Sequence, residues 1–366
     1  MPKINRDIII PLALIIILAG GFVYVPNIML YIIISIIISL ILHPVQKKLS
    51  SFEVQGKHLS KGLASGISLF VFYFLIYSIF AYIFPKMVQQ AESLSNLNIN
   101  QIITSLEEYF YKIQAAYENY VSDGSQSFND YLKTRIMEII QIADIPDLVN
   151  KLLSLTGDLA IGIFSVTFIT FFLLKDGEMI YEFILSLFPS SKQDYYDAVM
   201  TEIKMLLNRY FAGLLVEVLL IMTLTSLGLS LIGIPNATLI GFIAGVLNIV
   251  YYVGPLMGAI IGLILGLLAL YTGQEEVNFL VSMLKILSVF AVVQALDNFV
   301  FQPLIYSNSI KAHPLEIFLV ILIAGNIWGI IGMVLAIPTY TVVRILIRNF
   351  LGTGYRAETK REAENK

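Results

Sequence analysis

The 366-residue chain is 57% hydrophobic and only 13% charged, with a net charge of −3 at pH 7 and a mean hydropathy of +0.81. That composition lies outside the range of soluble globular domains, and a near-neutral charge gives no footing for nucleic acid. The absence of cysteine excludes disulfides, thiol catalysis and thiolate metal sites, and His43, His58 and His313 lack metal-ligand spacing.

In chain order, apolar segments of near bilayer length occur at Ile8–Val25, Ile28–Leu42, Leu63–Phe84 and Leu155–Leu174. The first lacks a small-residue cleavage site and reads as a retained span. Pro26-Asn27 punctuates the first pair, and Phe84-Pro85 closes the third span. Residues 86–154 are polar and amphipathic, predicting two or three helices outside the membrane, broken near Ser122-Asp-Gly-Ser and Ile145-Pro146. The region 175–210 carries Lys175-Asp-Gly-Glu and then a helix after Pro189-Ser-Ser-Lys, with Asp194 and Asp197 in its first turns. Four further apolar segments follow at Phe211–Ile232, Ala237–Tyr271, Phe279–Phe301 and Leu315–Ile347.

Basic residues cluster in the N-terminus (Lys3, Arg6), the 43–62 loop (Lys47, Lys48, Lys57, Lys61) and the tail (Arg344, Arg348, Arg356, Lys360, Arg361). The positive-inside rule then places these, both termini and 175–210 in the cytoplasm, and 86–154 outside. The organisation expected is 1–85 N-terminal spans, 86–154 extracellular region, 155–210 span and cytoplasmic linker helix, 211–347 transport core and 348–366 tail. Membrane lipid is the surrounding partner, and the plasma membrane the expected location.

Two segments are too long for one crossing. Ala237–Tyr271 would extend about 52 Å as a single helix, against a hydrocarbon core of about 30 Å. Its centre is interrupted by Tyr252-Val-Gly254-Pro255, and Leu315–Ile347 has a break at Gly325-Asn326. Each is expected to be a helical hairpin that enters and turns back. Phe211–Ile232 plus one hairpin resembles Phe279–Phe301 plus the other, an inverted-repeat plan with the solute site between the repeats. The fold expected is therefore all-α and polytopic, with about six full transmembrane helices and two hairpins.

Polar residues between Gln294 and Pro338 stand in a stretch otherwise suited to lipid, where they survive only facing protein or a wet cavity. Asp297, Asn298, Gln302 and Pro303, with Asn248, Gly254, Pro255, Gly325 and Asn326 at the breaks, are the candidate solute-binding residues. On an α-helix Asn298 and Gln302 share a face, with Asp297 about 100° around from Asn298. Asp297 and Glu217 are the candidates for ion coupling. The alternative for Asp297 is a structural bond to Asn298, Gln302 or a facing helix. Glu217, near the expected cytoplasmic end of its span, is equally read as snorkelling. Gly254, Gly258, Gly262 and Gly266 recur at four-residue spacing and read first as close helix packing.

No nucleophile–base pair, metal box, phosphate loop or ATP-binding domain is visible, so the reading is a gradient-driven transporter with no cofactor and no enzymatic activity. A neutral polar organic solute suits the uncharged groups at the breaks, whereas cation–proton exchange would require a membrane carboxylate.

Several motifs resemble the autoinducer-2 exporter family, which includes the PerM-like permeases. They are Phe171-Phe-Leu-Leu-Lys-Asp176-Gly177, Tyr210-Phe-Ala-Gly213, Gly233-Ile-Pro235, Val253-Gly254-Pro255 with Gly258, Gln294 to Pro303, His313-Pro314-Leu315 and Trp328-Gly329-Ile-Ile-Gly332 to Pro338. The resemblance implies a homo-oligomer (a pentamer), two solute-holding hairpins, an elevator-like movement, and export of an autoinducer-2-like signal or sodium–proton exchange. The chain departs from the family pattern at Val250-Tyr251, where Ile-Pro is usual, and at Leu214, where Gln often follows the glycine.

Overall fold

A computed structural model describes residues 20–21, 24–54, 57–95, 156–190, 193–271, 278–306 and 313–364. Among the described residues the regular structure is helical apart from a short antiparallel ladder, β1 (Glu53–Val54) with β2 (Lys57–His58). The expected span at Ile8–Val25 lies largely outside the described residues. Residues 96–154 of the amphipathic region lie wholly outside them.

Helix α1 covers Pro26–Ser51, α2 Lys61–Ser95 and α3 Thr156–Ser186. Each outruns its apolar segment. Pro44 and Pro85 sit inside α1 and α2 rather than ending them, and α3 passes through Lys175-Asp176-Gly177 with a kink at Asp176 (φ −114°, ψ 16°). The expected close of the third span at Phe84-Pro85 is thus corrected: a proline bends a helix whose flanks still have partners, without terminating it. Leu42, Leu69 and Leu174 form the shared apolar contact of the three helices. Ser35 Oγ donates to the Val166 carbonyl at 3.2 Å, and Tyr73 and Thr167 share a hydroxyl bond of 2.7 Å. Such bonds join helices where lipid offers no competing donor.

Helix α4 runs unbroken from Gln193 to Leu231, with Asp194 in its first turn as expected, so linker and span are one helix about 58 Å long. The first long segment divides into α5 (Ala237–Leu247) and α6 (Val253–Tyr271). Then come α7 (Phe279–Leu296), a π-helical turn at Asp297–Phe301, α8 (Gln302–Tyr306) and α9 (Pro314–Glu364). Among the described residues, seven helices have the length and composition to cross a membrane.

Both long segments fold back. In the first, α5 and α6 pack with Leu229 of α4 and Ile286 of α7 around a core of Ile234, Ile240, Leu265 and Leu270. The glycines of α6 admit these neighbours: a side chain at Gly262 would meet Phe290, and one at Gly266 would meet Ile286. Close packing, the first reading of that stripe, is what they do.

In the second, α9 is broken at Trp328 (φ −132°, ψ 17°) and Gly329 (φ 60°, ψ −140°). The Tyr340 hydroxyl donates to the Glu316 carboxylate, and Ile317 and Ile321 share a cluster with Ala336 and Ile337. Residues 24 apart on a straight helix would be about 36 Å apart, so this contact requires a reversal. The tip is Trp328-Gly329, which corrects the expected break at Gly325-Asn326. Gly325 tolerates helical geometry, whereas the turn needs the left-handed φ that Gly329 adopts without penalty.

The polar ends gather. Lys61 pairs with Glu178 at 2.5 Å, Arg348 with Glu202 at 2.6 Å, and the Tyr195 hydroxyl donates to the Asn349 carbonyl at 2.7 Å. These contacts bring the start of α2, the ends of α3 and α9, and the start of α4 to one end of the bundle.

Candidate functional site

The site is built where the helix after α7 changes pitch. The Gln302 N–H bonds the Asp297 carbonyl, five residues back, giving the π turn. Pro303 has no N–H to offer the Phe299 carbonyl, so the ordinary i→i−4 ladder fails there and the wider turn is tolerated. The π turn overturns the expected α-helical facing of the three polar residues. Gln302 Nε2 donates to Asp297 Oδ2 at 2.8 Å and to Asn298 Oδ1 at 3.3 Å. Gln294 Nε2 donates to Asn298 Oδ1 at 3.1 Å and, at the limit of 3.5 Å, to Asp297 Oδ2. One amide on each side therefore clamps Asp297 and Asn298 together.

Asp297 is 0% exposed and Glu217 only 2%. Glu217 projects from the middle of α4 and is in side-chain hydrogen-bond contact with Asp297. The snorkelling alternative for Glu217 is corrected: α4 runs five turns past the expected membrane boundary at Phe211, and at this burial the carboxyl lies inside the bundle. The structural alternative for Asp297, a bond to Gln302 and a facing helix, is realised. That bond does not compete with a functional role, since the same groups make the polar centre.

From the first hairpin tip, the Tyr251 hydroxyl donates to Gln302 Oε1 at 2.6 Å. A chain of contacts thus runs from the tip (Tyr251) through α8 (Gln302) and the π turn (Asp297) to α4 (Glu217). Tyr210, buried at 6% exposure on the same face of α4 two turns before Glu217, lies near both Glu217 and Tyr251. Tyr252 has φ 64°, a left-handed value uncommon for a large side chain. Its ring stands 6.2 Å from that of Phe318 on the second hairpin.

The remaining expected residues are placed apart. Asn248 is buried at the C-terminal cap of α5. Gly254 opens α6 with its Cα so near the α5 end that an added Cβ would lie 2.0 Å from the Leu247 carbonyl oxygen; Pro255 follows it in the first turn of α6. Gly325 lies under Met333, and Asn326 is exposed. No described contact joins Gly325 or Asn326 to Asp297. The first tip packs against the second hairpin through Tyr251, at the cluster of Ile317, Ile321, Ala336 and Ile337, and through Tyr252 at Phe318.

Sequence reasoning missed Tyr251 and Gln294 as site members. The signal for Tyr251 was its departure from the family's proline, a hydroxyl where the pattern has none. Gln294 stands one turn before Asp297, a visible spacing. Hollows of about 320 Å³ (beside Phe211, Trp328 and Pro338) and about 740 Å³ (beside Tyr31, Phe72 and Ile161) are apolar and contain none of the expected residues. Among the described residues no three His, Cys, Asp or Glu side chains are grouped to hold a metal ion.

Residues 12–352 match the model of the AI-2E family transporters. The chain is 26% identical to YueF of Bacillus subtilis, named as a transport protein, over 80% of this chain and 79% of that one. It is 23% identical over 89% and 90% to a Thermotoga maritima protein also named for transport. It is 26% identical to PerM of Escherichia coli K12, named as a permease, over 54% of each chain. The family match covers both hairpins, the π turn and α4, and with the seven apolar helices it makes this chain a multi-pass membrane protein of the AI-2E transporter family, with a role in membrane transport.

Proposed function

We propose that the chain is a secondary transporter that exports a small polar organic solute of the autoinducer-2 type by an elevator-like movement. It works in the plasma membrane as a homo-oligomer, a pentamer, with both termini cytoplasmic. The observation carrying this reading is the part-buried line Tyr251–Gln302–Asp297, which ties a hairpin tip to a helix whose ladder is already broken. A solute that takes over the Tyr251 or Gln302 bonds frees that tip, so binding and movement share the same groups. The gathering of residues 61, 178, 202 and 348 at one end supports a common side for the regions assigned to the cytoplasm. An inverted pairing of α4 and the first hairpin with α7 and the second accords with two fold-backs, each following a long helix.

A second reading, sodium–proton exchange, is favoured by the contact between Asp297 and Glu217, since exchange requires a titratable membrane carboxylate. The test is flux of a labelled furanone-type signal in proteoliposomes under imposed proton or sodium gradients, beside pyranine-reported proton movement without the signal. Gradient-dependent signal flux is expected, retained in part by Asp297→Asn. Signal-independent proton movement driven by sodium, abolished by Asp297→Asn, would establish exchange instead. Absence of both from correctly inserted protein overturns the transport reading at this site.

A further inference from the structure

We propose that the coupling ion is a proton, held between the Asp297 and Glu217 carboxyls, and that the pair does not take sodium. The proposal rests on the transport reading above and names the ion that its site uses.

The first argument is satisfaction of donors and acceptors. Asp297 is completely buried, and its Oδ1 receives no N–H or hydroxyl donor. Its polar neighbours are Gln302, Glu217 and Gln294, with no Lys or Arg among them. A buried carboxylate oxygen without a donor is costly, and the nearest titratable group is another buried carboxyl. Two carboxyls make a hydrogen bond only with one proton between them, and one proton satisfies the orphaned oxygen and removes one of two like charges at once.

Coordination chemistry argues against a metal ion. Hard cations collect six or more oxygen ligands. Here Asp297 Oδ2 is turned towards two amide donors, Gln302 Nε2 and Gln294 Nε2, whose positive ends stand where a cation would sit. The carbonyl oxygen of Gln302 is already engaged by the Tyr251 hydroxyl. The side-chain oxygen of the network left without a donor is Asp297 Oδ1, which a proton shared with Glu217 satisfies. From the elements packed around the pair, the other titratable groups are Tyr210 on α4 and Tyr251 and Tyr252 at the tip, phenols that leave the pair's charge to its own proton.

Coupling follows from the connection to the tip. Loss of the proton sets two carboxylates against each other, and Asp297 is held by Gln302, which holds Tyr251. Repulsion between α4 and the π turn therefore strains the bond that pins the first hairpin, whereas the protonated pair leaves it in place. The charge state of the pair thus selects whether the tip is fastened.

The test is infrared difference spectroscopy of the full chain in an ester-free detergent at neutral pH, which reads a protonated carboxyl directly and requires no transported solute. A protonated-carboxyl C=O stretch is expected in the parent, shifted in Asp297→Asn and in Glu217→Gln, and lost in the double variant. Sodium chloride should leave the band as choline chloride does. The proposal is overturned if the parent lacks the band, if the double variant keeps it, or if sodium alone removes it. Should the double variant not fold, the single-variant shifts and the sodium comparison decide the question. A proteoliposome flux that fails while the band behaves as expected would count against the transport reading and leave the shared proton standing.

Discussion

The two hairpins are made with the same device and used differently. Each closes by a backbone approach that only glycine permits: an added Cβ would lie 2.0 Å from the Leu247 carbonyl oxygen at Gly254, and 2.0 Å from that of Ala324 at Gly332. The first hairpin carries a polar group at its tip, Tyr251, and joins it to a part-buried network that ends on the buried Asp297. The second has an apolar, half-exposed tip at Trp328 and is fastened at its open end by Tyr340 and Glu316. Chemistry is therefore attached to one tip, and the other reversal is held by packing and an exposed bond.

The difference can be broken experimentally, most forcefully at the glycines. Gly254→Ala and Gly332→Ala each place a methyl against a backbone carbonyl that has nowhere to go, and each should cost about 3 kcal/mol as an overpacked contact. Thermal unfolding in detergent would show this, and a variant as stable as the parent would mean that its tip is not closed by that approach.

Tyr251→Phe leaves Gln302 Oε1 without its donor inside the bundle, at a cost of about 2 kcal/mol. It should also reduce solute flux, because the tip is no longer fastened to the π turn. Parent-like stability and flux would remove Tyr251 from the site.

Gly329→Ala retains the helix on both sides but asks alanine for a φ of 60° with ψ −140°. The expected loss is about 1.5 kcal/mol, from backbone strain alone. Because this tip carries no polar group of the network, proton-dependent flux per folded molecule should stay near the parent's. A selective loss of flux without loss of stability would assign chemistry to the second tip after all.

The smallest effect is expected from Tyr340→Phe. Its bond to Glu316 is exposed, water replaces it, and the change should stay below about 1 kcal/mol. A larger loss than that of Tyr251→Phe would reverse the ranking of the two hairpins.

Much of this was written in the chain itself. Segment length against bilayer thickness identified both fold-backs, since 35 or so apolar residues exceed one crossing. The cost of polar groups in lipid singled out Asp297, Asn298 and Gln302, and the structure brings them together. A local signal misplaced one boundary: Pro85 suggested the close of a span, yet α2 continues because neighbouring helices supply the contacts that propensity alone does not count.

What tertiary structure decided was facing and partnership. The period of an ordinary helix turns Asp297 away from Asn298, and only the π turn before Pro303 rotates it under Gln302. The meeting of Glu217 with Asp297 joins residues 80 apart in sequence, on helices whose relative register is set by packing around Leu229, Ile240 and Ile286. Composition and length fix that a chain lives in a membrane and where it must turn, because those depend on transfer from water to lipid residue by residue. Which buried carboxyl meets which depends on how the helices interlock, and no local property of the sequence carries that.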